Sequence, residues 1–353
     1  MFTDERAWSL SRDIVRRYWF LAALILIIPV GLVWPGLGLY LKEEGGFIPV
    51  FVGVMLGIAG FSMDTSRLVQ QATHFRAVLP VLASIYVAAP LAAYALSRIF
   101  APEGDPHFLP AMMIMAAQAG SLASAIALTL MSGGNRELAL ICTLGSNSMT
   151  VLLTPFILEQ SIDPAYIREL SGDNDLEFPL LKMIWKMVVC VLLPIAAGQL
   201  LRHWFWEAAE KVRPVIRVVP QLIILLFVYT GFAAAATQLG SNAGIAGRFL
   251  VACMLLHLML LGLNGVISGA LNLSWADRTA VILCGSQKTL PNGIYIWGTF
   301  FAQNPYGAIP LVLYHLFQLV VDTLLVPWFE KKNSIVKREG DREFGCHSSG
   351  GDD

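Results

Sequence analysis

Long apolar runs alternate along this chain with short clusters of charge. A helix needs about 20 apolar residues to cross a hydrocarbon layer of roughly 30 Å. By that measure the pattern predicts ten spanning helices. The first half carries Tyr18–Leu37, Phe47–Met63, Ala77–Ile99, Phe108–Met131 and Glu137–Leu158. The second carries Leu180–His203, Ile216–Thr237, Ile245–Leu271, Ala280–Phe301 and Ala308–Phe329. The chain thus divides into an N-terminal segment (1–17), a first five-helix half (18–160), an acidic loop (161–179) and a second five-helix half (180–329). A charged, Gly/Ser-rich tail (330–353) follows and is expected to be disordered.

Two of these runs are interrupted near their middles. In the ninth, Gly285-Ser286-Gln287-Lys288-Thr289-Leu290-Pro291-Asn292-Gly293 sets polar and helix-breaking residues inside the apolar stretch from Ala280 to Phe301. In the fourth, Gln118-Ala119-Gly120-Ser121-Leu122-Ala123-Ser124 does the same. Hydrocarbon offers no water to a broken backbone, so such runs belong where protein or a polar cavity surrounds them. Paired interruptions at matching places in two halves point to a binding site in the membrane.

The halves also echo one another in sequence. Gly60-Phe61, Thr65 and Leu68 answer to Gly231-Phe232, Ala236 and Leu239. Thr150-Val151-Leu152-Leu153-Thr154-Pro155-Phe156 answers to Asp322-Thr323-Leu324-Leu325-Val326-Pro327-Trp328, and Pro29 answers to Pro194. Gln118 and Gln287 fall in nearly the same frame, and the offset stays nearly constant in the right order, as an internal repeat requires. Five helices per half is an odd number, so the halves insert with opposite topology. The fold class expected is an all-α polytopic membrane protein of ten transmembrane helices, built as two inverted five-helix repeats with helices 4 and 9 broken and crossing near mid-membrane.

Orientation follows from the basic residues in the loops. With the N-terminus inside, inner segments hold Arg6, Arg12, Arg16, Arg17, Arg67, Arg76, Arg136, Lys211, Arg213, Arg217 and Arg278, with the lysines and arginines of the tail; outer segments hold only Lys42, Arg98, Arg168 and Arg248. Both termini are therefore expected in the cytoplasm, with the chain in the plasma (inner) membrane. The polar lead ahead of the first run, and Pro29 within that run, predict an anchor that is retained rather than a cleaved signal.

Composition narrows the classes further. Hydrophobic residues make up 56% of the 353, charged residues 14%, and mean hydropathy is +0.64, which excludes a soluble domain with a charged surface. A net charge of −1 without a basic field or phosphate-binding motif argues against nucleic acid as a partner. Cys142, Cys190, Cys253 and Cys284 lie in apolar runs and Cys346 lies in the tail, without C-x-x-C or Cys/His spacing, so they read as small hydrophobes. There is no H-E-x-x-H, P-loop or G-x-S-x-G, and no enzyme chemistry is expected.

The breaks carry the candidate chemistry. An opened helix leaves carbonyls without donors and N–H groups without acceptors, and two crossing breaks would gather both around one point. Lys288 lies deepest among the charges, where an unpaired lysine costs about 3 kcal/mol or more. Its roles remain open: a built-in cation, a contact for a substrate carboxylate, a proton carrier, or a structural partner of Asp322 or of an open carbonyl. Asp322 and His315 are candidate charge or proton partners. His257 reads as a bond to a neighbouring helix, Asp64 as an interfacial cap, and Lys182 with Lys186 as a balance to Asp175 and Glu177.

Gly285-Ser286-Gln287-Lys288-Thr289-Leu290, with Leu313-Tyr314-His315-Leu316-Phe317-Gln318-Leu319-Val320-Val321-Asp322 downstream, resembles the bile acid:sodium symporter superfamily, within it the SBF-like branch of sodium/bile acid cotransporter 7-type proteins. Ala119 to Ser132 leading into Gly133-Gly134-Asn135, and Leu193-Pro194 with Gly198-Gln199, are similar to further family patterns, so the likeness runs from about Trp19 to Phe329. It implies a core and a panel domain and the carriage of organic anions, such as bile acids or keto acids, driven by sodium beside the crossing. Carried over, Ser124, Thr143, Ser146, Asn147 and Gln287 would hold a sodium ion, and Ser148 lies on the same face of the fifth helix. The family's acidic residue four positions before the glutamine is Leu283 here, and its asparagine is Lys288, so a sodium ion would lack its strongest ligand.

These readings converge on a secondary active transporter of a small organic anion, its substrate held by Gln118, Ser121, Ser124, Lys288, Thr289 and Asn292. A non-transporting membrane regulator or sensor and a facilitative uniporter are the alternatives. No cofactor is expected beyond a sodium ion at the residues named, and the partners expected are the substrate anion and the lipid bilayer.

Overall fold

The computed structural model describes residues 19–20, 22–23, 25–43, 47–62, 75–171, 178–239 and 243–347. The charged lead, Asp64, Asp173, Asp175 and Glu177 lie outside them. Among the described residues every regular element is helical. After helical residues 25–33 and a short helix Gly36–Glu43 come α1 (Phe47–Ser62), α2 (Phe75–Phe100), α3 (Phe108–Ala116), α4 (Leu122–Met131) and α5 (Arg136–Ser161). Beyond a short helix Pro164–Ser171 follow α6 (Leu180–Trp204), α7 (Trp206–Leu239), α8 (Ala243–Ala270), α9 (Trp275–Ser286), α10 (Leu290–Phe300) and α11 (Ala308–His347).

Among the described residues five helices are each long and apolar enough to cross a bilayer alone: Phe75–Phe100, Arg136–Ser161, Leu180–Trp204, Gly244–Ala270 and Ala308–Ile335. Two further runs are interrupted. The fourth and ninth runs are broken into α3 with α4 and α9 with α10, so neither piece of either run has the length to span.

Polarity is distributed inside out relative to a water-soluble domain. Leu181, Leu324 and Val266 are 80%, 73% and 71% exposed, whereas Gln118, Gln287, His257, Asn264, Gln318 and Asp322 are wholly buried. An apolar wall around polar groups is what a hydrocarbon surround selects, because each polar group must be satisfied within the protein. This is an integral membrane protein.

The helices pack in two groups that touch one another. Residues 36–62 pack with α6 and α7 and α2 to α5 with α8 to α11, while α7 also packs on α11, α6 on α5 and α10 on α1. In the first group, backbones approach closely: a methyl at Gly60 would collide with the Ile195 carbonyl on α6, and one at Gly198 with the Gly57 carbonyl on α1. Small residues at such crossings let dispersion act where no hydrophobic force operates between helices.

Two helices contain a π-helical turn, Ser84–Ala88 in α2 and Val188–Leu192 in α6, each just ahead of a proline, Pro90 or Pro194. Proline has no N–H and its ring crowds the carbonyl four residues back, which widens the preceding turn. The last helix runs on to His347, through much of the stretch expected to lack order. Glu330, Lys331, Lys332, Lys337, Arg338 and Glu339 are good helix formers with acid and base interspersed, and they extend the helix begun by the apolar run.

Candidate functional site

The two breaks meet. Thr289 N–H donates to Ala119 O at 2.9 Å, a backbone bond from the second break to the first. A Cβ at Gly120 would lie 3.1 Å from Cys284 O, so the two chains touch through their main chains there. Pro291 sits in the first turn of α10, where its missing N–H costs nothing.

Carbonyls freed by the breaks are filled from neighbouring helices. In the first break Ala117 O accepts from Thr154 Oγ1 (2.5 Å), Gly120 O from Asn147 Nδ2 (2.9 Å) and Gln118 O from Lys288 Nζ (3.0 Å). In the second, Gly285 O accepts from Ser84 Oγ (3.1 Å), Ser286 O from Tyr314 OH (2.6 Å) and Lys288 O from Gln318 Nε2 (2.9 Å). The Gln318 amide also accepts from Lys288 N–H at 2.7 Å, so one side chain occupies both polar groups of that peptide unit. Without these donors and acceptors each buried group would cost about 1–3 kcal/mol.

Lys288 is 2% exposed and its ammonium rests on two carbonyl oxygens, Gln118 O and, at 2.7 Å, Ile85 O. The second follows from the π turn. Ala89 N–H turns to Ser84 O, and Pro90 has no N–H to offer, so Ile85 O is left without a helical donor. Of the roles left open for Lys288, a bond to Asp322 is thus replaced by open carbonyls. Asp322 is held instead by His257 Nε2 on Oδ1 (3.0 Å) and Gln287 Nε2 on Oδ2 (2.6 Å). Gln287 Oε1 accepts from Ser124 Oγ (2.6 Å), which also lies 2.6 Å from Ser121 Oγ. A line of polar groups therefore runs Ser121, Ser124, Gln287, Asp322 and His257 through the crossing.

The other expected residues sort by where their side chains go. Gln118 Nε2 donates to Ile114 O on its own helix (2.6 Å) and its Oε1 has no partner among the described residues. Both amide atoms of Asn292, buried at 1% exposure, are likewise unpartnered, as are Asn147 Oδ1 and His315 Nε2. His315 Nδ1 lies 2.9 Å from Gln318 Nε2, so it joins the Gln318 clamp rather than Asp322. The hydroxyls of Thr143 and Ser146 turn back onto their own helix, to Ala139 O (2.8 Å) and Thr143 O (3.0 Å); Thr143 O is linked to the first break through Asn147, and the Ser146 hydroxyl faces Gly120. Lys182 and Lys186 lie on α6, away from the breaks, with the Lys186 ammonium over the Phe300 ring. Sequence reasoning passed over Gln318, Asn264 and the Ile85 carbonyl. Asn264 and Gln318, being amides within apolar runs, were the available signal; a main-chain oxygen gives none.

The model of the SBF-like CPA transporter family matches residues 18–331, both breaks included. The chain belongs to that family. Relatives of this SBF-like protein include an uncharacterised protein of Pseudomonas aeruginosa, 30% identical over 80% of this chain and 83% of its own. The Escherichia coli protein YfeH, named provisionally as a symporter, is 24% identical over 85% of this chain and 91% of its own. Mouse sodium/bile acid cotransporter 7 is 22% identical over 91% and 96%. The SBF-like chain is a membrane transporter of the bile acid:sodium symporter type, not an enzyme.

Proposed function

We propose that this SBF-like protein is a secondary transporter that moves a small organic anion by alternating access of two inverted five-helix repeats. The ten spans are completed by the broken pairs α3 with α4 and α9 with α10, and both termini lie in the cytoplasm, beneath the plasma (inner) membrane. Relatives named for sodium and bile acids support an anionic cargo. The observation that carries the reading is the Lys288 ammonium resting on Ile85 O and Gln118 O inside the crossing. Main-chain oxygens freed at a helix break or a π turn suit a small cation, and a tethered ammonium occupying them supplies that charge permanently. Lys288 thus takes the part of a sodium ion, and its charge favours a carboxylate nearby. Asn292, with both amide atoms unpartnered among the described residues, and Gln118, Ser121, Ser124 and Thr289 complete the substrate surface. If a cation is carried in addition, Ser124, Thr143, Ser146, Asn147 and Gln287 hold it.

The test is uptake of a labelled bile acid and a labelled keto acid into proteoliposomes under sodium or potassium gradients. The native protein is expected to take up the anion equally in both, and Lys288→Asn to make uptake depend on sodium. A folded Lys288→Asn protein whose uptake stays indifferent to sodium would sink the lysine-as-cation model. Uptake that never exceeds equilibrium would make the protein a uniporter, and no uptake at all would favour a membrane regulator.

A further inference from the structure

A second charged cluster lies away from the crossing, where α8 turns into α9 beside α11. Trp275 opens α9, with the Arg278 guanidinium carbon 4.3 Å and the Lys332 ammonium 5.5 Å from its ring centroid. Two cations thus share one indole, an arrangement that is favourable to each cation singly but sets like charges side by side. Asp277, the nearest acid in sequence, has Oδ1 taken by Asn135 Nδ2 (2.7 Å) and Oδ2 by Ser274 Oγ (2.8 Å). Arg278 and Lys332 form no ion pair among the described residues, and Arg278 Nε is buried without an acceptor. The guanidinium also lies over Gly269, where a Cβ would come within 3.1 Å of its terminal nitrogen, so the corner leaves room for it.

The surroundings name the kind of anion. Trp328 stands edge-on to Trp275 at 5.8 Å, itself 47% exposed, and Leu324 one turn earlier on α11 is 73% exposed. After Trp328 the helix becomes charged, at Glu330, Lys331 and Lys332. The cation pair therefore sits where the apolar wall ends, flanked by tryptophans of the sort that settle at the headgroup level. An anion whose own chains lie along that wall is held in register with the cations, which a free ion is not. We infer that Trp275, Arg278, Trp328 and Lys332 form a binding site for the phosphate of an anionic phospholipid.

Full-length purified protein would be reconstituted with equal amounts of phosphatidylglycerol and phosphatidylcholine, and the retained lipid measured by native mass spectrometry after delipidation. A preference for phosphatidylglycerol of about fivefold or more is expected, along with a higher melting temperature in that lipid, because a ligand that binds only the folded state stabilises it. Arg278→Gln with Lys332→Gln should abolish both. Lys332→Gln alone, at an exposed position, should reduce the preference without altering the melting temperature in phosphatidylcholine, which keeps the inference testable should the double variant fail to fold. Equal retention of the two lipids, or a preference unchanged by Lys332→Gln, overturns the site. So does equal stabilisation by inorganic phosphate, which would make it a site for a free anion.

Discussion

The two breaks look alike in outline and differ in what they contribute. The first, from Ala117 to Ser121, is built of small residues apart from Gln118 and offers mainly carbonyls, which Thr154, Asn147, Lys288 and the Thr289 N–H fill. The second, from Gly285 to Thr289, brings donors to it: the Lys288 ammonium and the Thr289 N–H bond carbonyls of the first. Its own backbone is then fixed by side chains of α2 and α11. At the main chain the first break receives and the second supplies, although Ser124 donates to Gln287 Oε1, so an inverted symmetry of shape would coexist with an asymmetry of charge. The lesson is that in this membrane site the cation has been written into one of the two breaks.

The largest effect on that comparison is expected from Gln318→Leu. It orphans the Lys288 N–H and carbonyl together, at about 1–3 kcal/mol each in a buried setting. The melting temperature in detergent should fall by more than for any other single change proposed for the breaks. Transport should fall with it, because the clamp sets where the ammonium points. A stable Gln318→Leu protein with normal uptake would show that the second break holds its shape without α11.

Next come matched glycine changes, one in each break. A methyl at Gly285 would collide with Asn264 Oδ1, and Asn264 cannot yield freely because its Nδ2 donates to Leu260 O (2.7 Å) and Ser84 Oγ (2.8 Å). Gly120→Ala meets Cys284 O at 3.1 Å, a contact relieved by a shift of a few tenths of an ångström. Overpacking costs typically about 1–3 kcal/mol, so Gly285→Ala should sit near the top of that range and Gly120→Ala near the bottom. Thermal unfolding of both, with Asn264→Ala added to Gly285→Ala, checks the cause. The second change should recover part of the loss if Asn264 is the obstacle.

Much of this was legible in the letters. Gln118, Gln287 and Lys288 stand out because a polar residue inside an apolar run has few places to go, and Pro291 announces that the ninth run breaks. The partners were not legible. Lys288 reaches Ile85 across 203 residues of sequence and Gln118 across 170, and both acceptors are main-chain oxygens that no residue type encodes. The pairing of Asp322 with His257 rather than Lys288 depends on how α8 and α11 are rotated, which apolar periodicity leaves undetermined when lipid and protein both present apolar faces.

The smallest effect separates the two π turns, which share a cause but have different surroundings. In α2 the turn before Pro90 frees Ile85 O, and Lys288 takes it. In α6 the turn before Pro194 lies among apolar neighbours, with Val189 and Leu193 exposed at 40% and 55%. Pro90→Ala supplies an N–H within reach of Ile85 O and allows the turn to tighten, so the ammonium must share or lose an acceptor. Pro194→Ala changes no contact of the crossing. Pro90→Ala is therefore expected to weaken substrate affinity by a few-fold, about 1 kcal/mol, with little change in melting temperature, since a gained helical bond offsets part of the lost one. Pro194→Ala should leave affinity unchanged. Equal effects from the two would mean that the π turn in α2 serves only to bend the helix, and that the ammonium is held by Gln118 O on the first break alone.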